Sequence, residues 1–237
     1  MDGVIGLRAG LSMTDQVYRA VRSLLLRGGY SPGSRLSETG LARMLEVSRG
    51  PVREALERLA QEGLVVRIPR RGTFVRHYGI TEVRELMELR RVLELAAARM
   101  AVRRASGDDL VVVEEVLAAA DTAIRNGHGY PPDKDFHLTI ARLTCNRELE
   151  RTAGLVYDQL RLARALAACR PGRSREAWRE HTAILRALLA RDENAVGVAL
   201  EAHLAAAEAA MLAWADQAGA TTQGLKQGEG PALSKGR

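Results

Sequence analysis

The sequence predicts a mainly helical chain in two parts: three helices and a β-hairpin in the first third, then an all-helical bundle. Three observations predict it. Apolar residues recur at helical spacing from about residue 12 to residue 62. Two short β-prone stretches then flank a turn at Pro69-Arg70-Arg71-Gly72. From Thr81 onward every segment reads helical, with breaks at Gly107, 127–132, Cys145-Asn146 and Pro171-Gly172.

Residues 1–11 read as a flexible leader. Ser12 or Thr14 caps a first helix whose apolar face is Val17, Ala20, Val21, Leu24 and Leu25, and Gly28-Gly29 stops it. Ser31-Pro32-Gly33 is a turn. Ser37 opens a short second helix with Leu41, Met44 and Leu45, and Glu46-Val47 links it tightly to a third. Ser48 caps that third helix, and Pro51 falls in its first turn, where a missing N–H costs little. It buries Val52, Ala55, Leu56 and Leu59 and ends at Glu62-Gly63. Further helices are expected near 81–104, 108–126, 133–143, 147–168, 175–191 and 193–216, the first with a stripe of Leu86, Leu89, Leu93, Ala96, Ala97 and Met100. The boundaries are therefore 1–11, 12–78, 79–218 and 219–237, the last a Gly/Gln/Thr/Lys-rich tail that reads as disordered.

Composition narrows the function. Of 237 residues, 46% are hydrophobic and 27% charged, enough for a core and a solvated surface. No unbroken apolar stretch approaches the roughly 18 residues of a membrane span, so no membrane partner is expected. Two cysteines, Cys145 and Cys169, exclude a disulfide scaffold and a Cys-rich zinc module and suit a reducing cytoplasm. Aromatics at 4% are too few for a base-stacking platform. The net charge of +6 is unevenly spread: residues 1–78 carry +6, residues 79–218 carry −2 and the tail +2. A basic end on a near-neutral body points to a polyanion at that end, or to a solvated Arg-rich face.

Three helices and a hairpin within about 65 residues have the element order of a winged helix-turn-helix. That architecture presents the start of its third helix to the major groove. Arg49, Arg53 and Glu57 are four apart and share the face opposite Val52, Leu56 and Leu59. An arginine there can bridge guanine O6 and N7 or clamp a phosphate, and free amides near Ser48 can hold a phosphate. Arg70, Arg71 and Gly72 would form the wing tip.

The runs 31–38, 41–56 and 62–65, with Val47-Ser48-Arg49-Gly50-Pro51-Val52-Arg53-Glu54-Ala55-Leu56 at their centre, resemble the reader head of GntR-type transcription regulators. Arg71-Gly72-Thr73-Phe74-Val75 is similar to that head's wing. The resemblance implies DNA contacts from Arg35, Ser48, Arg49, Gly50, Pro51, Arg53, Arg70, Arg71 and Gly72. Two positions depart from it. Glu46 stands where the family usually has glycine, and Gly50 where a threonine or similar polar residue is common.

In the second part, Asp133 and His137 are four apart on one expected helix and point the same way, whereas Asp135 points nearly opposite His137. His181 and His203 sit on two later helices beside Ile184 and Leu204. One carboxylate and three imidazoles from three helices can converge in a bundle core and suit Zn²⁺, Ni²⁺, Mn²⁺ or Fe²⁺. Taken singly, each histidine also reads as an ordinary core or polar residue. His77 and His128 read as solvated, and Cys145 and Cys169 as small packing residues.

Asp133-Lys134-Asp135-Phe136-His137 followed by Asn146, then Glu180-His181-Thr182-Ala183-Ile184, then Asp192, Ala195 and His203-Leu204, resemble the helical effector domain of the FadR branch of GntR regulators, in its FCD variant. Residues 88–94 are similar to its opening helix. The resemblance implies a divalent metal on Asp133, His137, His181 and His203, with a small organic acid beside it. Arg90 could hold the acid's carboxylate bidentately, or form an ion pair with a nearby Glu.

The expected function is a cytoplasmic, homodimeric transcription regulator that binds an inverted-repeat operator and responds to an organic acid. Two other readings stand beside it. A metal-dependent enzyme tethered to a DNA-binding head would need a base near the metal; Glu180 and Tyr157 are the candidates, and no motif marks either. An architectural nucleic-acid binder would leave the histidines inert.

Overall fold

A computed structural model describes residues 10–128, 130, 136–164 and 172–227, with side chains to residue 213. The chain is mainly helical, as the sequence predicts. The head comprises α1 (Met13–Leu26), β1 (Arg35–Leu36), α2 (Glu38–Met44), α3 (Arg49–Gln61), β2 (Val65–Ile68) and β3 (Gly72–Val75). Ser12 Oγ accepts from the Asp15 amide and Ser37 Oγ from the Gly40 amide, both at 3.1 Å, fixing the starts of α1 and α2. Ser48 occupies the cap position of α3 but its side chain makes no cap hydrogen bond.

The sheet is antiparallel with order β1-β3-β2. Its β2–β3 hairpin pairs Val65 with Val75 and Ile68 with Gly72, around Pro69, Arg70 and Arg71. The two-residue β1, which the sequence reading missed, pairs Arg35 with Phe74 and Leu36 with Thr73. It carries no periodic signal, and only the fold brings it to β3.

The bundle comprises α4 (Ile80–Arg104), α5 (Gly107–Arg125), α6 (Phe136–Leu143), α7 (Arg147–Arg164), α8 (Arg173–Leu189) and α9 (Glu193–Gln227). Helix α9 continues well beyond the expected end near 216, so residues 219–227 of the expected tail are helical. No proline interrupts the helix there, although Gly219 and Gly224 are poor helix formers. Its segment Glu193–Ala213 is long and apolar enough by composition to cross a membrane. In the fold it packs against α4 and α8, burying Val196, Leu200, His203, Leu204 and Met211.

On α4 the expected stripe is rotated. Leu89 is 43% exposed and Ala96 is exposed, whereas Val83, Met87, Glu94, Ala97, Ala98 and Ala101 face inward. The helix has two partly apolar sides, and the side with small residues approaches its neighbours closely. Cys145 is exposed at φ 51°, not a packing residue; Cys169 lies outside the described residues.

One buried apolar cluster runs through the head and into the bundle. It holds Val17, Val21, Leu25, Leu56 and Leu59 together with Met87, Val156, Leu160 and Met211. A second joins α4, α5, α6, α8 and α9 around Val113, Phe136, Ile184, Leu188 and Leu200. The head is thus docked on α7 and α4.

Candidate functional site

In the head, the third helix exposes the predicted side chains. Arg49 and Arg53 are exposed, with Arg49 Nη2 3.6 Å from Glu38, while Val52, Ala55, Leu56 and Leu59 are buried beneath. Gly50 and Pro51 are half-buried in the first turn, which contains no acidic residue. The helix therefore adds no carboxylate of its own to an anion at its start, and Glu38 of α2 is the acidic neighbour, paired with Arg49. Glu57 is exposed on the same helix, as expected, and accepts from Arg67 of β2 at 2.5 Å. At the wing, Arg70 has φ 62° and Gly72 φ 112°, and all of Arg70, Arg71 and Gly72 are exposed. A Cβ on Gly72 would lie 3.1 Å from Arg35 Nε. Strand β1 is therefore what brings Arg35 to the wing. Glu46 has φ 55°, the left-handed conformation in which glycine is unstrained.

In the bundle, α6, α8 and α9 bring His137, His181 and His203 together. All three are buried, and one ring nitrogen from each lies within 4.8 Å of the others. The Nε2 atoms of His181 and His203 are 3.4 Å apart. Phe136 stacks on His181 with centroids 4.3 Å apart. Asp133 and Asp135 lie outside the described residues.

The far side of each ring is anchored by an oxygen. His137 Nδ1 meets Glu94 Oε2 at 2.7 Å, His181 Nδ1 meets the Tyr130 hydroxyl at 2.7 Å, and His203 Nδ1 meets Glu180 Oε2 at 2.7 Å. Ionised carboxylates only accept, so His137 and His203 donate from Nδ1 and present a lone pair at Nε2. Arg90 supports this tautomer, since its Nη2 lies 3.1 Å from His137 Nε2 and a guanidinium can only donate. These outer contacts orient imidazoles as ligand-holding second partners do in metal sites.

Charge follows the same arrangement. Burial would raise the Glu94 carboxyl, but Arg90, His137 and the Tyr157 hydroxyl outweigh it and hold it well below the usual range. Arg90 and Tyr157 both donate to its Oε1. Burial acts against Glu180 likewise, yet His203 and the bidentate Arg173 lower it to about 2. Burial, with the neighbouring imidazoles, depresses His181 well below its ordinary value, and burial lowers His203 to about 4. Both are neutral at pH 7, the form a metal requires. A narrow gap of about 10 Å³, room for about one water, borders Glu94, His137 and Tyr157. Its other walls are Leu93, Ala97, Ile140, Ala141, Ala153 and Leu200.

Sequence reasoning placed the three histidines and Arg90 here. It missed Glu94, Tyr130 and Glu180 as holders of the rings. Only the position of Glu180, one residue before His181, signalled it. The ion pair of Arg90 with a glutamate, an alternative left open above, forms with Glu94.

Known proteins match both parts in this order. The bacterial regulatory protein gntR family matches residues 13–75, and the FCD domain matches residues 85–206. This chain belongs to the GntR family, with an FCD effector domain. It is 36% identical to the Nta operon transcriptional regulator of Aminobacter aminovorans over 137 residues, 57% of this chain and 65% of that protein. It is 29% identical to the transcriptional repressor RspR of Escherichia coli K12, covering 81% of this chain and 86% of the relative. A GntR transcriptional regulator from Rhodococcus sp. RHA1 superposes with a TM-score of 0.74 at 30% identity, over 86% of this chain and 99% of that one. The GntR chain is therefore a DNA-binding transcription regulator with an effector-binding domain, not an enzyme. Consistently, Tyr157 and Glu180 serve as ring-network partners through Glu94 and His203.

Proposed function

We propose that this GntR regulator binds an inverted-repeat operator as a cytoplasmic homodimer and that a small organic acid, bound at a divalent metal in the bundle, modulates that affinity. The observation that carries the reading is the convergence of three buried imidazoles whose outer nitrogens are anchored by oxygens. His137, His181 and His203 fit a divalent ion by donor type and spacing, with Asp133 as the fourth ligand. A metal there supplies a positive centre for a carboxylate. Arg90, held by Glu94 and reaching His137 Nε2, is the second anchor for that carboxylate. The gap beside it has room for about one water, so an acid of few carbons enters only as the wall at Ala97, Ala141 and Ala153 gives way.

In the head, Ser48, Arg49, Gly50, Pro51 and Arg53 meet the major groove. Arg35, Arg70, Arg71 and Gly72 reach the adjacent backbone or minor groove. Two heads on one dimer read two half-sites. The pairing surface is the outer face of α4 and α9, where Leu89, Val92 and Val198 are exposed beside Ala96, Ala202 and Ala205. Val92 at 67% and Val198 at 73% exposure are apolar residues that a second copy would cover. An acid that binds one arrangement of the heads more tightly shifts the population toward it.

Metal analysis with titration of operator DNA, in the presence and absence of candidate short carboxylates, tests the reading. The expected result is one divalent ion per chain and an operator affinity shifted several-fold by at least one acid. A fully active DNA binder carrying no metal and unresponsive to every acid refutes it.

A further inference from the structure

We propose that Tyr157, Asp158 and Gln159, consecutive on α7, form a relay between the imidazole cluster and the DNA-reading head, with Asp158 and Gln159 as positioning residues for α3. The proposal rests on the reading of the imidazole cluster as the effector site. Successive helical residues point about 100° apart, so three neighbours can address different surroundings. Tyr157 turns into the bundle, where its hydroxyl donates to Glu94, the residue that anchors His137. Asp158, 8% exposed, accepts from Arg22 Nε of α1 at 2.6 Å. Gln159 Nε2 donates to the carbonyl oxygen of Glu62 at 2.9 Å.

The last contact falls at a sensitive point. Glu62 is the C-terminal cap of α3, whose other end carries Arg49 and Arg53. The next residue, Gly63, has φ 77°, and a Cβ there would lie 2.7 Å from Gln159 Nε2. Side chain and backbone are in close register. Glu62 is also held through its side chain by Tyr18 at 2.7 Å and Arg58 at 3.3 Å, so α1, α3 and α7 meet there. Val156 and Leu160 on α7 lie in the same buried cluster as Val17, Val21, Leu56 and Leu59. A packed helix with two polar attachments transmits a shift as a rigid body, because close-packed interiors do not absorb it. An open cleft of about 390 Å³ lies between Tyr18, Arg22 and Arg58 of the head and Arg142 and Arg147 of the bundle. A small displacement of Tyr157 on rearrangement of Glu94 and His137 therefore reaches both ends of the head's contact with α7.

Hydrogen exchange with Zn²⁺ as the probe tests the relay on the full chain. In wild type, Zn²⁺ should slow exchange in α6, α8 and α9 and alter it in residues 18–26 and 56–64. In Gln159→Ala and Asp158→Asn, the bundle response should persist and the head response should be lost. The Zn²⁺-dependent change in operator affinity should vanish with it. Gln159→Ala removes only one hydrogen bond and guards against an Asp158 variant that fails to fold. A head that stays silent in wild type while the bundle responds overturns the relay and leaves the effector-site reading intact. A head that still responds in both variants overturns it too. A bundle that ignores Zn²⁺ in wild type defeats the effector-site reading, and the relay falls with it.

Discussion

His181 and His203 face each other through their Nε2 atoms at 3.4 Å, although they come from helices α8 and α9. Each ring is held from behind, by Tyr130 and by Glu180. Two neutral imidazoles brought nose to nose, with their rotation blocked, cost conformational freedom and desolvation that a purely apolar contact would not. The contact fits an Nε2–H···Nε2 hydrogen bond, with the Tyr130 hydroxyl donating to His181 Nδ1, and equally the shared cation proposed above.

Replacing His181 by Ala should abolish stoichiometric metal binding and the acid response, while the protein still binds operator. Glu180→Gln, which keeps the shape but weakens the hold on His203, should lower metal affinity about 10–100-fold. Inductively coupled plasma mass spectrometry and a competitive chelator titration measure both. Full occupancy in the His181 variant would make the imidazole an ordinary core residue.

Arg49→Ala and Arg53→Ala should each weaken operator binding by about 1–3 kcal/mol if the lost contact is bidentate to a base. Both side chains are exposed, so melting temperature should hardly change. Gel-shift titration at fixed salt decides it; wild-type affinity in both would displace α3 from the groove.

Val92→Glu, on the outer face of α4, should convert the dimer to monomer at micromolar concentration without unfolding the chain. The residue is 67% exposed, so the charge harms only an interface. Sedimentation velocity reads the result. An unchanged dimer would place the pairing surface elsewhere.

Glu46→Gly should stabilise the head by about 0.5–1 kcal/mol, because Glu46 sits at φ 55°, where a side chain is strained and glycine is not. The gain is partly offset by the freer unfolded chain. Denaturant melts compare the two, and a destabilised glycine variant would show that the Glu46 side chain contributes more than its backbone strain costs.

Tyr78 predicts a pH dependence at the alkaline end. Burial pushes its phenol up to about 12, and its hydroxyl donates to Gly63 O at 2.7 Å. The folded value is raised above the ordinary value of about 10, so the unfolded state loses its proton first. The stabilisation is complete below about pH 10 and is lost as pH rises toward 12. It amounts to about 3 kcal/mol. Tyr78→Phe should flatten the loss of stability between about pH 10 and 12 relative to wild type in chemical denaturation.

Much of this architecture was legible because apolar spacing is a local signal. Val17, Val21 and Leu25 on α1, and Val52, Leu56 and Leu59 on α3, are buried as their periodicity demands. Periodicity was only partly right on α4, where Leu86 and Leu93 are half-buried against the core and Ala97 is buried, but Leu89 and Ala96 face out. The helix buries a side of small residues and Glu94, leaving Leu89 and Val92 outside. A pattern of apolar residues cannot tell a core face from an interface. The histidines were legible through their order and spacing within a resemblance. Their anchors were not, because Glu94 lies 43 residues before His137, a pairing only the fold creates. Strand β1 was invisible for the same reason: two residues acquire meaning only beside Thr73 and Phe74.

The continuous apolar cluster that joins the head to α4, α7 and α9 bears on how such proteins diversify. A reader head exchanged between relatives is not a cassette. Its underside must carry residues that fit Asp158, Gln159 and the Val156–Leu160 surface, and a graft lacking counterparts to Arg22 and Gly63 would leave a buried carboxylate without its cation and a side chain where there is no room. New operator preferences are therefore more accessible by changing the few exposed residues at the start of α3 than by trading whole heads.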